Sequence, residues 1–298
     1  MAKKKKETEA ERLDRLINKH LDKKLINALN KVNKQISKEV EQALFEIVKQ
    51  KSKNPSLALS EIEHYKTINK KVNKIFQNYL DSQQLSIQDL FIEVYQQGID
   101  DVDQQLILQN APSSMSATVQ FAKPNLHLVQ ATLNEVNTYL KRASEGIPPQ
   151  IKATINKLVN DKVIKQSISG QSLNRAVKEM VKEIEDKGIK MVTTSKRRYD
   201  IKTYSRMILR TESRYMHTQA VKQRTEELGY LYVRISSHPN PSKACEPYEG
   251  KIYYVGKNPK DNFLNKTHLD DVTGVKKLFH PNCKHVSVVY PARPPRNK

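Results

Sequence analysis

Between Glu11 and Gln50 the apolar residues Leu13, Leu16, Ile17, Leu21, Leu25, Leu29, Val32, Ile36, Val40, Leu44 and Ile47 recur every three or four positions, separated mostly by Lys, Glu, Asn and Gln. That is the period of an α-helix with one apolar face. A helix of this length buries its stripe only against a partner, so it points to a helical hairpin, a bundle or an oligomeric contact rather than a compact enzyme core.

Pro55 breaks the pattern, since proline cannot continue a helix and pushes its predecessor out of helical angles. A second helix is expected over Ser60 to Leu80, carried by Ile62, Tyr65, Ile68, Val72, Ile75, Phe76 and Tyr79. Ser86, with Asp89 three residues on, is expected to cap a third, and Gly98 to end it. The run from Ala111 to Thr118 is polar and turn-rich, and Lys123-Pro124-Asn125 is another break. Helical spacing returns at Leu126, Val129, Leu133, Val136 and Leu140, then stops at Gly146-Ile147-Pro148-Pro149, which reads as a rigid link.

Residues 151 to 166 form a further helix, and Ser172 caps another that ends at Asp186-Lys187-Gly188. After a polar connector over 193–198, Asp200 is placed to cap a long helix from Ile201 to Leu228. The texture then turns to strand, with runs at Tyr230–Ser237, Lys251–Val255 and His285–Tyr290. The expected fold is therefore mainly α, a long N-terminal helical arm or bundle followed by a smaller α+β domain with a short antiparallel sheet and a Cys/His knuckle. Its boundaries are 1–150 for the helical docking region, 151–291 for the α+β domain and 292–298 for a basic, proline-rich tail.

Chemistry-bearing residues concentrate near the C-terminus. Both cysteines, Cys245 and Cys283, lie there with His238, His280 and His285. Two thiolates and an imidazole bind zinc tetrahedrally once a fourth ligand is found, with His238 first in line and His280 as alternate. A strong zinc signal begins with C-x-x-C, and here Ser242 stands at the first position. Two buried free thiols, or a disulfide under oxidising conditions, are the competing readings. On the long helix, Arg206, Arg210 and Arg214 are spaced four apart and suit either phosphates or carboxylates, with pairing inside the chain favoured. Glu212 reads as the internal partner of one of them.

The 52 Lys and Arg residues against 32 acidic ones leave a formal charge of +20, with lysines in every segment. Such a surplus attracts polyanions, nucleic acid first, with anionic lipid or an acidic protein surface behind it. Finger or aromatic strand motifs for base recognition are absent, so contacts with double-stranded DNA are expected to be nonspecific and to phosphates. No apolar run reaches membrane-spanning length, and the start lacks the apolar segment of a signal peptide, which points to the cytosol. No dinucleotide, Walker, nucleophile-elbow or H-E-x-x-H motif occurs. The enzymatic alternative is Cys245 with His285 or His280 as nucleophile and base, or zinc with an open position, with only Glu246 and Glu249 as acid partners.

Five pieces in order are similar to one family. They are residues 173 to 181 (L-N-R-A-V-K-E-M-V), 204 to 215 (Y-S-R-M-I-L-R-T-E-S-R-Y), 229 to 239 (G-Y-L-Y-V-R-I-S-S-H-P), 245 to 251 (C-E-P-Y-E-G-K) and 280 to 285 (H-P-N-C-K-H). Together they resemble the phage minor capsid protein 2 group, related to the head-morphogenesis proteins like protein F of phage Mu. The family triplet falls on Arg210, Thr211 and Glu212, and its C-x-P-x-x-G-K element on Cys245, Pro247, Gly250 and Lys251. The closing element falls on His280, Pro281, Asn282, Cys283 and His285. Many members carry a further cysteine where this chain has Ser242. The resemblance implies a structural, non-catalytic virion protein in the head interior at or near the portal vertex. It implies the portal protein, and a scaffold or major capsid protein, as partners. It also implies assembly in the host cytoplasm and DNA accompanied at packaging or ejection. The alternatives are a cytosolic nonspecific nucleic-acid-binding protein and a Cys/His or zinc-dependent enzyme acting on phage DNA or cell envelope.

Overall fold

The computed structural model describes residues 7–54, 56–109, 123–169, 175, 177–179, 181–182, 190–192, 198–256, 264, 267–273, 278–280 and 283–292. The expected turns at 111–118, the cap at Ser172, the exit at 186–188, the connector at 193–197, Pro281, Asn282 and tail residues 293–298 lie outside that set. The architecture is mainly helical with a short antiparallel sheet near the C-terminus.

Helix α1 (Glu9–His20) starts at a capping box. The Thr8 hydroxyl accepts from the Glu11 N–H at 3.3 Å, and the Glu11 carboxylate accepts from the Thr8 N–H at 2.8 Å. A π-helical turn (Leu21–Leu25) joins it to α2 (Ile26–Lys53), so the long amphipathic stripe forms as read but in two pieces.

Helix α3 (Glu63–Leu108) replaces the two helices expected from Ser60 to Gly98. Nothing between Leu80 and Ser86 forbids helix, and the capping-type side chains bond within it: Ser82 Oγ donates to the Tyr79 carbonyl at 2.8 Å and Gln77 reaches Asp81 at 2.8 Å. Gly98 does not end the helix either. A Cβ at that position would stand 2.8 Å from both the Ala220 Cβ and the His217 carbonyl oxygen, so the glycine is what lets two backbones approach.

Helix α4 (Leu126–Ser144) opens with the Asn125 side chain accepting from the Leu128 N–H at 3.1 Å. Helix α5 (Ile147–Ser169) begins at the double proline that read as a link. Pro148 and Pro149 occupy the first turn, where no N–H is needed and the fixed φ suits the helix. Strands β1 (Lys190–Val192) and β2 (Arg198–Asp200) form an antiparallel pair too short to be read from alternation. Asp200 then caps α6 (Ile201–Glu227), its Oδ1 accepting from the Thr203 N–H at 3.0 Å. Strands β3 (Tyr232–Ile235), β4 (Ile252–Tyr254) and β5 (Ser287–Tyr290) make the sheet in the order β4-β3-β5, and the short helix α7 (Leu269–Val272) precedes β5.

The chain divides into two compact units that do not follow the boundary expected at residue 150, which falls inside α5. The first takes residues 1–21, 85–136 and 207–298; the second takes 22–84 and 137–206. Helices α3, α4 and α6 each supply residues to both.

In the second unit, α2, with its buried stripe (Leu29, Val32, Ile36, Val40, Leu44, Ile47), packs against α5, and its Glu39 pairs with Lys71 of α3 at 2.9 Å. In the first, Val102, Leu106, Val221, Tyr230, Val233, Ile235, Tyr253 and Val289 form the core beneath the sheet. Beside that core lies a buried carboxylate: Asp101, on α3, accepts from Arg12 of α1 and His217 of α6, each at 2.9 Å.

Gly98→Ala gains helix propensity of about 1 kcal/mol but forces α3 from α6, and overpacking of this kind costs about 1–3 kcal/mol. The expected net result is a lower melting temperature and Gly98→Val lower still, measured by calorimetry; an alanine variant as stable as the parent contradicts the close approach.

Candidate metal centre

The sheet of the first unit carries the cysteine-bearing turns. After β3, Ser242 begins a turn closed by the Cys245 N–H donating to the Ser242 carbonyl at 2.8 Å. Pro247 lies in the short 3-10 turn that follows (Glu246–Tyr248), and Gly250 adopts φ +65, the left-handed conformation that favours glycine, as its N–H bonds the Ile235 carbonyl at 3.1 Å. On the return, Phe279 takes φ +59 and the Cys283 N–H closes a second turn on the His280 carbonyl at 2.9 Å. Two turns of the same span thus present Ser242 with Cys245 and His280 with Cys283.

Cys245 and Cys283 are buried free thiols with their sulfurs 3.5 Å apart. His285 Nδ1 lies 3.3 Å from Cys283 Sγ, and the three ligand atoms fall within 4.8 Å of one another. Ligands held about 2.0–2.3 Å from a tetrahedral zinc stand roughly 3.3–3.8 Å apart, and the 3.5 Å and 3.3 Å spacings of Cys283 to Cys245 and to His285 fall in that range. The other ring nitrogen of His285 is 2.7 Å from Glu249 Oε1, which also accepts from the His238 N–H at 2.8 Å. A carboxylate behind a histidine fixes its tautomer and aims its free nitrogen at a metal. Burial opposes ionisation of Glu249, but these two hydrogen bonds outweigh it and hold the carboxyl below its ordinary range.

The fourth position differs from the expectation. His238 stacks edge-on against His285 with ring centroids 4.5 Å apart, and its Nε2 faces Ser236 Oγ at 3.3 Å, so it is not grouped with the three ligands. His280 bonds Ser242 Oγ at 2.8 Å and is likewise outside the group. The sequence listed the right neighbourhood and could not rank its histidines. Glu249 was weighed only as an acid partner, and its spacing to His238 and His285 carried no signal of the pairing.

Cys283, His285 and Glu249 also stand in the order of nucleophile, base and orienting acid. Burial acts on the thiol of that series. It pushes the Cys283 thiol up to about 12, with Cys245 adding to the shift, against backbone N–H groups of His285 and Phe279 that favour the thiolate. Cys283 is 3% exposed. A bound cation reverses the balance, because coordination deprotonates a thiol outright.

The arginine series on α6 is divided between the units. Arg214 is buried and pairs with Asp14 of α1, and Arg210 donates to Asn18 Oδ1 at 2.6 Å; Arg206, half-buried, belongs to the second unit. Burial lowers the Arg214 guanidinium, with Asp14 pulling the other way. Glu212 pairs with no arginine among the described residues. Two positions from either neighbour on a helix is the opposite side, and there burial, with Glu135 of α4 second, pushes its carboxyl up to about 7.

Comparison with known proteins gives one family. The family model of phage minor capsid protein 2 matches residues 18–292, from α1 through the residues after β5 and hence both units. No curated protein and no solved structure matches.

Because the folded-state pKa of Glu212 lies above its unfolded value, its contribution to stability is present below about pH 4.5 and is lost as pH rises toward 7. Glu212→Gln keeps the neutral form at every pH. The variant is expected to melt higher than the parent at pH 8, by at most about 3 kcal/mol, and level with it near pH 4.5 in thermal scans across pH.

Proposed function

Because the chain belongs to the phage minor capsid protein 2 family and so has a minor capsid role in the phage head, we propose that it is a structural component built in at or near the portal vertex. It assists head morphogenesis there, docks on the portal protein, with a scaffold or the major capsid protein as further partners, and touches packaged DNA through phosphates. The observation that carries this reading is the extent of the family match, which takes in the helical arms as well as the sulfur-bearing turns. The +20 charge suits a neighbour made of phosphodiesters. No described helix is long and apolar enough to cross a membrane. Mass spectrometry of gradient-purified virions and proheads is expected to find this chain in a few copies per particle, crosslinked to portal. Its absence from both overturns the reading.

Within this role the protein acts without turnover, and the Cys245–Cys283–His285 cluster holds a structural zinc ion that pins β3, β4 and β5 through the two turns between them. What supports this is the clustering of two thiols and an imidazole within 4.8 Å together with the Glu249 carboxylate behind His285. Protein purified without chelator is expected to carry close to one zinc per chain by elemental analysis. Cys283→Ser loses the metal, and Glu249→Gln, which removes no ligand, weakens it about 10–100-fold. Fully folded metal-free protein that takes up no added zinc contradicts the assignment.

A further inference from the structure

The charge is not spread evenly. Of the 52 Lys and Arg residues 28 lie in the second unit, against 14 of the 32 acidic residues, so that unit carries +14 of the +20. Within it the cations are ordered. No acidic residue occurs between Asp22 and Glu39, and on the solvent side of that stretch stand Lys24, Lys31, Lys34 and Lys38, all exposed, with exposed Asn27 and Gln35 among them. Lys31 and Lys38 are seven apart on α2, about 10 Å along one stripe, and Lys24 stands ahead of them on the π-helical turn that leads into the helix. On α3, no acidic residue occurs between Glu63 and Asp81, and Lys66, Lys70 and Lys74 are exposed four apart. The Lys71–Glu39 ion pair ties the two helices.

None of these seven exposed lysines has an ionic partner among the described residues. A merely solvated helix face intersperses acids three or four positions from its cations, and α1 does so with Glu9 and Arg12. The N-terminal half of α2 offers only cations and amides, the groups that meet a phosphate backbone.

We infer that the lysine stripes of α2 and α3 are a binding face for the backbone of duplex DNA, read by charge and without base contacts. This rests on the head-protein reading for the source of the polyanion. Two observations choose duplex DNA over other anionic surfaces. An amphipathic helix that lies in a lipid interface needs an apolar face to insert, whereas the apolar face of α2 is spent on the interior of its own unit. The exposed large apolar side chains, Leu85, Ile107, Leu108, Leu126, Tyr215 and Leu264, are all elsewhere. A single-strand groove stacks bases on aromatic rings, and the exposed positions of α2 carry none.

The full-length protein is titrated against a short random-sequence duplex by fluorescence anisotropy over a range of salt. The triple variant Lys24→Gln, Lys31→Gln, Lys38→Gln keeps helix propensity and is checked by circular dichroism. Its plot of log affinity against log salt is expected to be shallower by about 2.7, from about 0.9 per phosphate contact removed. A control variant removing three exposed cations of the first unit, Lys123→Gln, Arg234→Gln, Lys243→Gln, is expected to leave the slope within about 0.5 of the parent. An unchanged slope in the stripe variant, or an equal loss in the control, overturns the proposal. So does a stripe variant that keeps DNA but loses phosphatidylserine vesicles, which assigns the face to a membrane. Incorporation into virions is scored separately, so absence from particles refutes the head-protein reading without altering these isotherms.

Discussion

Asp101 is the group on which the first unit depends. Its carboxylate is 3% exposed, on the α3 turn after Gly98, and receives Arg12 from α1, His217 from α6 and the Gln97 amide from its own helix at 2.8 Å. A charge so placed is held only while every partner stays, and losing one leaves the others buried and uncompensated. Two residues further along α3, Asp103 accepts two hydrogen bonds from Arg224 at 2.8 and 3.0 Å. The missing side chain at Gly98 makes the approach of α6 close enough for both. Packing and electrostatics therefore specify a single register of α3 against α6, and α6 in turn leads into β3.

That register decides where the sulfur-bearing turns sit. Val221 of α6 and Val102 and Leu106 of α3 lie in the same apolar cluster as Cys245 and Cys283, so the thiols rest on the helices that the ion pairs fix. Burial favours the protonated form of Cys283, and coordination of a cation would reverse that preference. Glu249 reaches across to His285 and to the His238 backbone, stitching the turn after Cys245 to the strand ends on either side.

The helices were legible because their apolar positions repeat at the helical period over several turns, and the sheet because Tyr230–Ser237, Lys251–Val255 and His285–Tyr290 alternate. What misled was punctuation. Gly98, Ser86 and Pro148-Pro149 are stop or start signals locally, yet a glycine can serve a neighbour, a serine can lie within a helix that runs on past it and a proline can begin a helix as well as end one. Pairings between residues far apart, such as Arg214 with Asp14 or His285 with Glu249, leave no trace in spacing. The arginines at four-residue intervals were visible; that a unit boundary divides them was not. Likewise the cysteines and the nearby histidines were found together, while the choice among the histidines depends on turn geometry.

The interleaving of the two units bears on how the chain is born. Asp14 and Asn18 leave the ribosome early, and Arg214 and Arg210, which they meet, emerge almost two hundred residues later. Until then α1 has no α6 to lie against, and its leucines and isoleucine stay available to chaperones or to a sister chain. Non-local closure of this sort is slow. Completion of the first unit is thus a post-synthetic event, and a chain stalled midway keeps the apolar face of its first helix without the partner that the finished protein gives it.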